Sequence, residues 1–178
     1  MTNYHVMGAH QVNAWLWSKL KNFEYPAGKK AFDAYKGSGN TAGLNLVPII
    51  PTQQQPAFLD IAKGAPFIVY NYVVSAYPSE WWICREQCAY VIYDNNEERL
   101  RAVQSYIIDL TKRMDWSARD INNFLPSNTN FDFKNVSLTS ASGPDEFSTE
   151  GGRQGAMVVI NYEYTTDMNS AEGNGLRV

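Results

Sequence analysis

Chemistry in this chain would have to come from few side chains. Two cysteines, Cys84 and Cys88, and two histidines, His5 and His10, are the only thiols and imidazoles in its 178 residues. A nucleophilic thiol or hydroxyl needs a base beside it and a third group to orient that base. Both histidines fall in the first ten residues, and no Gly-x-Ser-x-Gly elbow occurs. The stretch that carries the cysteines is apolar and aromatic, where a thiol reads as a small core residue. On one face of a strand and four residues apart, the two sulfurs would be separated by about 13 Å. A disulfide requires Cα atoms within about 7 Å, so free thiols are expected. Cys-x3-Cys with His-x4-His does not match a zinc spacing, and neither a metal nor a cofactor is expected.

Paired carboxylates occur at Glu97-Glu98 and Asp145-Glu146. The first pair falls in the opening turn of a helix, where acids favour the dipole. The second lies in a polar stretch with no apolar wall to raise a pKa. General acid–base work is not expected of either, and no catalytic residue is assigned. The segment KGSGNTAG over 36–43 lacks the Gly-Lys-Ser/Thr ending of a phosphate loop. Tyr77, Trp81 and Trp82 could stack on a base or a sugar, but no basic groove accompanies them, and core or interface packing is the expected role. A net charge of −3 argues against a dedicated nucleic-acid binder. Lys19/Lys21, Lys29-Lys30 and Lys112-Arg113 each have acids close by. The N-terminus lacks the basic region of a signal peptide, and no run approaches the roughly 20 apolar residues of a membrane helix. A soluble protein is expected.

The elements that would position these residues centre on 67–113. Two runs rich in Val, Ile, Tyr and aromatics, 67–74 and 81–93, flank a break at 75–80 and predict an antiparallel hairpin. Asp94 with Glu97 predicts a capping box, followed by Leu100, Val103, Ile107, Leu110 and Met114 at helical spacing. Before this scaffold, 10–22 predicts a helix with a Val12, Trp15, Leu16 and Leu20 stripe. The proline-broken 44–51 predicts an extended arm or edge segment, and 56–63 a turn of helix. After it come a short helix over 118–124 and a strand over 131–139 with a bulge near Asn135-Val136. A long loop over 140–154 follows, which by its length is a candidate for function. The last strand, 155–165, should turn Ala156, Val158, Ile160, Tyr162 and Tyr164 to one face. The expected fold is α+β: a mainly antiparallel sheet of about four strands in two hairpins, packed with two main helices, with an N-terminal helix and an extended arm. One domain spans 1–165, with helix and arm over 1–55 and the core over 56–165; 166–178 reads as a flexible tail.

One feature of the first hairpin stands out. Phe67, Val69 and Val73 fall on one side and Ile68, Tyr70, Tyr72 and Val74 on the other, so both faces are apolar. A sheet with one wet face should alternate. Either the N-terminal arm folds across the second face or another subunit does, and oligomerisation is the preferred account.

This order of elements resembles the tail terminator (tail completion) proteins of tailed bacteriophages, most closely those of contractile-tailed phages. The likeness is carried by Ala89-Tyr90-Val91-Ile92-Tyr93-Asp94 with the helix after it and by the Asp115-Trp116 step. Glu150-Gly151-Gly152-Arg153-x-Gly155, leading into the strand with Tyr162 and Tyr164, completes it. It spans roughly 48–165. The resemblance implies a virion protein, made in the host cytoplasm and placed at the tail–neck junction. It would form a homo-oligomeric ring, commonly a hexamer, that ends polymerisation of the tail tube. Its partners would be the tube protein, the sheath, and the neck or head-closure proteins, with genome DNA passing through without specific binding. Asp145, Glu146, Glu150 and Arg153 on the long loop, and Tyr70, Tyr72, Trp81 and Trp82 on the hairpin, are the candidate contacts to a neighbouring subunit or the tube. Arg153 would offer a bidentate donor to a neighbour's carboxylate. A neck or head-closure adaptor ring is the alternative within this class, and a monomeric ligand- or carbohydrate-binding module the alternative outside it.

Overall fold

Alternation along Ile83–Asp94 (β5) decides how the sheet faces. Cys84, Glu86, Cys88, Tyr90 and Ile92 are buried, while Arg85 between them is exposed and Gln87, Ala89 and Val91 are half-buried. A computed structural model of the chain describes residues 8–37, 39, 42–52, 66–76, 83–127, 129, 131–148 and 153–166. In it β5 is the central strand. It pairs antiparallel with Phe67–Ala76 (β4) on one side and Gln154–Thr166 (β7) on the other. Phe131–Ser148 (β6) pairs antiparallel with β7, and Ile49–Pro51 (β3) runs parallel to β4 at the opposite edge. The order is β3-β4-β5-β7-β6. The fold is α+β and mostly antiparallel, as expected, but its main sheet has five strands rather than about four. The fifth comes from the arm, whose prolines suit an edge. A separate two-stranded ribbon joins Tyr35–Lys36 (β1) to Asn45–Leu46 (β2).

Among the described residues three helices cover the inner face. Gly8–Leu20 (α1) buries Val12, Trp15, Leu16 and Leu20, the expected stripe. Glu97–Thr111 (α2) buries Leu100, Val103, Ile107 and Leu110. Asp115–Phe124 (α3), three residues longer than the 118–124 pattern, buries Ala118 and Ile121. Two details differ from expectation at α2. Its N-cap is Asn96, whose Oδ1 accepts from the Arg99 amide at 2.9 Å. Asp94 is instead the last residue of β5, because that strand stays paired up to Asp94 opposite Gln154. Its buried carboxylate accepts from Arg99 Nε at 2.6 Å and Nη2 at 2.7 Å, and from the Asn96 amide at 3.0 Å. Met114 does not extend the helix stripe. It stands exposed at φ 43° in the turn into α3. Ser117 Oγ closes that turn by donating to the Leu110 carbonyl at 2.6 Å, which satisfies one of the open carbonyls at the helix end.

The region 140–154 is not one long loop. β6 continues to Ser148, with register shifts between Phe133 and Asn135, between Leu138 and Ser140, and between Ser142 and Phe147. The first is the bulge expected near Asn135. Gln104 of α2 pins the last by donating to the carbonyls of Ser142 at 2.7 Å and Met157 at 3.1 Å. The turn of helix expected over 56–63 lies outside the described residues.

The doubly apolar hairpin is resolved within the chain at its Phe67 end. Ile68, Ile92 and Tyr90 join the main core under the helices. On the outer face Phe67, Val69, Tyr93 and Ile50 form a second cluster, with Tyr35 and Leu46 of the ribbon packed against it. Tyr35 Oη anchors the ribbon by donating to the Pro66 carbonyl at 2.6 Å. Here the arm, not another subunit, covers the face. The expectation that favoured a second subunit is corrected for this part of the hairpin.

Candidate functional site

Besides Asp94 at its end, β5 buries one acid in mid-strand on its inner face, Glu86, only 4% exposed. Its Oε1 accepts from Tyr164 Oη at 2.7 Å, and its Oε2 accepts from the Ala9 amide at 3.2 Å. Tyr164 Oη in turn accepts from the Gly8 amide at 3.1 Å. The carboxylate therefore faces the open amides that begin α1, where the helix dipole favours an anion. Gly8 is required there, since a Cβ would collide with the edge of the fully buried Tyr164 ring. A further link, Tyr90 Oη donating to Asn13 Oδ1 at 2.8 Å, holds α1 one turn further on. Burial, and then the Glu86 charge, raise the Tyr164 phenol above its ordinary value. One oxygen of Glu86 thus holds α1 directly and the other holds it through Tyr164.

The two thiols face the same interior. Burial pushes Cys88 up to about 12 and raises Cys84 as well. Both are free cysteines, as expected, and both are held as thiols, not as the thiolate a nucleophile needs. Among the described residues no three His, Cys, Asp or Glu side chains converge on a point that could hold a metal ion. Among the described helices none is long and apolar enough to cross a membrane.

On the outer face, opposite residues form a polar ladder across β5, β7 and β6. Arg85 Nε donates to Glu163 Oε2 at 2.6 Å, and Gln87 Nε2 donates to Asn161 Oδ1 at 2.7 Å. Asn135 and Ser137 continue the two rows on β6. These residues line an open groove of about 400 Å³. Arg85 is paired with Glu163 and the Gln87 and Asn161 amides satisfy each other, while the buried Asn135 Oδ1 makes no hydrogen bond, so the groove offers no cationic track.

The sequence-expected contact residues do not gather into one site. Tyr70 lies half-buried against the main core, its ring 6.4 Å from that of Tyr90. Arg153 is largely buried, with its guanidinium 5.4 Å above the Phe67 ring, and so belongs with the arm-covered cluster on the other face. Arg153, expected to offer a bidentate donor to a neighbour's carboxylate, is thus placed against the Phe67 ring of its own chain. Tyr72 pairs with Cys88 on β4, and Asp145 and Glu146 fall in the last register shift of β6, but their side chains lie outside the described part. Trp81, Trp82 and Glu150 lie wholly outside the described residues. Sequence reasoning missed Glu86 and the start of α1. The available signal was parity, since Glu86 shares the face of Cys84, Cys88, Tyr90 and Ile92.

The described surface also leaves several large apolar side chains open. Leu44 is 56% exposed and Val47 40% on the arm; Met114 is 53%, Trp116 48% and Phe124 41% exposed in and before α3. Arg113 lies 5.0 Å over the Trp116 ring. In comparisons with known proteins, no protein-family model and no curated protein matches the chain.

Proposed function

We propose that this protein is a tail terminator of a tailed bacteriophage, a structural component rather than an enzyme. Copies of it would form a ring on the end of the tail tube, stop its growth and present the surface onto which neck or head-closure proteins dock. The reading starts from the sequence resemblance over 48–165. The structural observation that carries it is the character of the open surface. Large apolar side chains stand exposed at the arm and at α3, while Arg85 with Glu163 and Gln87 with Asn161 pair across the outer groove and the thiols and Glu86 are buried. Such a surface offers contact area, and half-exposed tryptophan is the kind of residue that anchors protein interfaces.

The test is to mix the purified chain with isolated tail tubes and view them by electron microscopy. Rings on one end of the tube, and tubes that no longer lengthen when tube protein is added, are expected. Binding to portal-bearing heads and not to tubes would assign the chain to the neck adaptors instead. A chain that binds neither would refute the reading.

A further inference from the structure

The outer groove is floored by side chains set in two rows across β5, β7 and β6. Arg85, Glu163 and Asn135 make one row and Gln87, Asn161 and Ser137 the other, by the register of the three strands. Neighbouring strands lie about 4.8 Å apart and alternate residues about 7 Å apart, so the rows cover a field of about 10 Å by 7 Å. Register shifts on β6 between Phe133 and Asn135 and between Leu138 and Ser140 bracket this field. Bulges of this kind bend a strand and re-aim its side chains. The volume of about 400 Å³ falls within the range of small-molecule sites, roughly 300–1,000 Å³. Such sites are mostly apolar, whereas this one is floored by amides, a hydroxyl and an ion pair.

Charge and hydrogen bonding narrow what could lie there. Arg85 is balanced by Glu163, and Lys134, next to Asn135 in the chain, is paired with Asp132. An ionic ligand of either sign therefore finds no uncompensated partner in the field. In the first row Arg85 Nε donates to Glu163 Oε2 at 2.6 Å, which leaves the Arg85 Nη groups as donors and Glu163 Oε1 as an acceptor. In the second Gln87 Nε2 donates to Asn161 Oδ1 at 2.7 Å, which leaves Gln87 Oε1 as an acceptor and Asn161 Nδ2 as a donor. Unspent donors and acceptors thus alternate along each strand and across the pair. On β6 the Ser137 hydroxyl can act as either, and the buried Asn135 Oδ1 is an acceptor without a partner, a costly state that a donor would relieve. An extended peptide would pair its main chain with a sheet edge, but these groups are side chains on a face. The group that donates and accepts through one atom is a hydroxyl, and a neutral ligand with hydroxyls on adjacent carbons matches the alternation. We propose that the outer groove, through Arg85, Glu163, Gln87, Asn161, Asn135 and Ser137, binds a neutral saccharide of one or two rings. The site goes beyond the terminator reading and does not depend on it.

Saturation-transfer NMR on the full chain tests it, because that method detects weak binding and works for a monomer or a ring. The probes are maltose, cellobiose and lactose, with glucuronic acid and glucose 6-phosphate as anionic comparisons. Saturable transfer to at least one neutral disaccharide is expected, with weaker transfer to both anions. Asn161→Leu removes the central pair and should weaken that binding at least tenfold. Ser137→Ala removes one hydroxyl, disturbs no cross-strand pair and should weaken it about fivefold. Asn161 is exposed and Ser137 half-buried, so both variants should keep the wild-type urea midpoint. Ser137→Ala and the wild-type titration decide the matter should Asn161→Leu unfold. No transfer to any of the three disaccharides would overturn the proposal. So would tighter binding of the anions, or disaccharide binding that both variants leave unchanged, which would place the sugar elsewhere on the chain.

Discussion

Tyr162 and Tyr164 are neighbours on one face of β7, both essentially buried, with ring centroids 6.4 Å apart. The structure assigns opposite consequences to removing their hydroxyls. Tyr164 Oη donates to the Glu86 carboxylate and accepts from the Gly8 amide. In Tyr164→Phe the carboxylate loses a bond of the charge-assisted kind, about 1.5–3 kcal/mol, and the Gly8 amide loses its acceptor, about 1 kcal/mol more. The sum is a loss of about 2.5–4 kcal/mol. With a urea m-value near 2 kcal/mol/M, the midpoint should fall by roughly 1–2 M. The Tyr162 hydroxyl is buried without a hydrogen-bond partner. In Tyr162→Phe the ring packing stays and an unsatisfied polar atom disappears, so stability should hold or rise by up to about 1 kcal/mol. Equilibrium urea unfolding followed by circular dichroism measures both, with m unchanged as the sign that the same transition is compared. Equal losses in the two variants, or a greater loss in Y162F, would refute the assignment of Glu86 as the group that docks α1.

The Asp94–Arg99 pair makes a second contrast, since Asp94 is fully buried whereas the Arg101–Glu97 pair is exposed at both ends. Arg99→Ala strands a buried carboxylate and should cost about 3–5 kcal/mol, whereas Arg101→Ala should cost under about 0.5 kcal/mol; similar unfolding midpoints for the two would contradict the burial. The thiols set the response to alkali. Cys88 is held up to about 12 by burial, while in the unfolded chain a thiol deprotonates near about 8.5, so above that value the unfolded state binds fewer protons and stability falls as pH rises. The fall should reach about 1.4 kcal/mol per pH unit from this group up to roughly pH 12, with Cys84 and the raised Tyr35, Tyr162 and Tyr164 adding to it. A urea midpoint constant across that window would show that the thiols are open to solvent, as would alkylation of the native protein faster than it unfolds.

Much of the scaffold is legible in the pattern of residues because period and burial coincide. The alternate residues of β7 from Ala156 to Tyr164 are all buried, and the Val12, Trp15, Leu16 and Leu20 stripe of α1 faces the core. What escapes is decided by partners far away in sequence. Asp94 and Asn96 are both good caps; the choice falls to Asn96 because β5 keeps its pairing with β7 to the end. The Ser-Gly-Pro composition after Ser140 reads as loop, yet β6 persists there. Its irregular register follows β7, and Gln104, on a helix 38 residues earlier, takes up the Ser142 carbonyl. The parity of Glu86 marks it as buried, but its donors come from α1, 77 residues away, and from Tyr164. Nothing local to β5 names them.

The surplus of apolar surface on the first hairpin suggests an assembling protein, and the structure changes where that argument applies. At Phe67, Val69 and Tyr93 the arm already supplies the cover, so these residues place no demand on a neighbour. The arm that covers them, however, is itself open at Leu44 and Val47. The unmet apolar surface has moved one layer outward, from the sheet to the ribbon lying on it. A ribbon of two short strands has little core of its own and is marginal alone. Its position is held by Tyr35 and Leu46, packed against the cluster it covers.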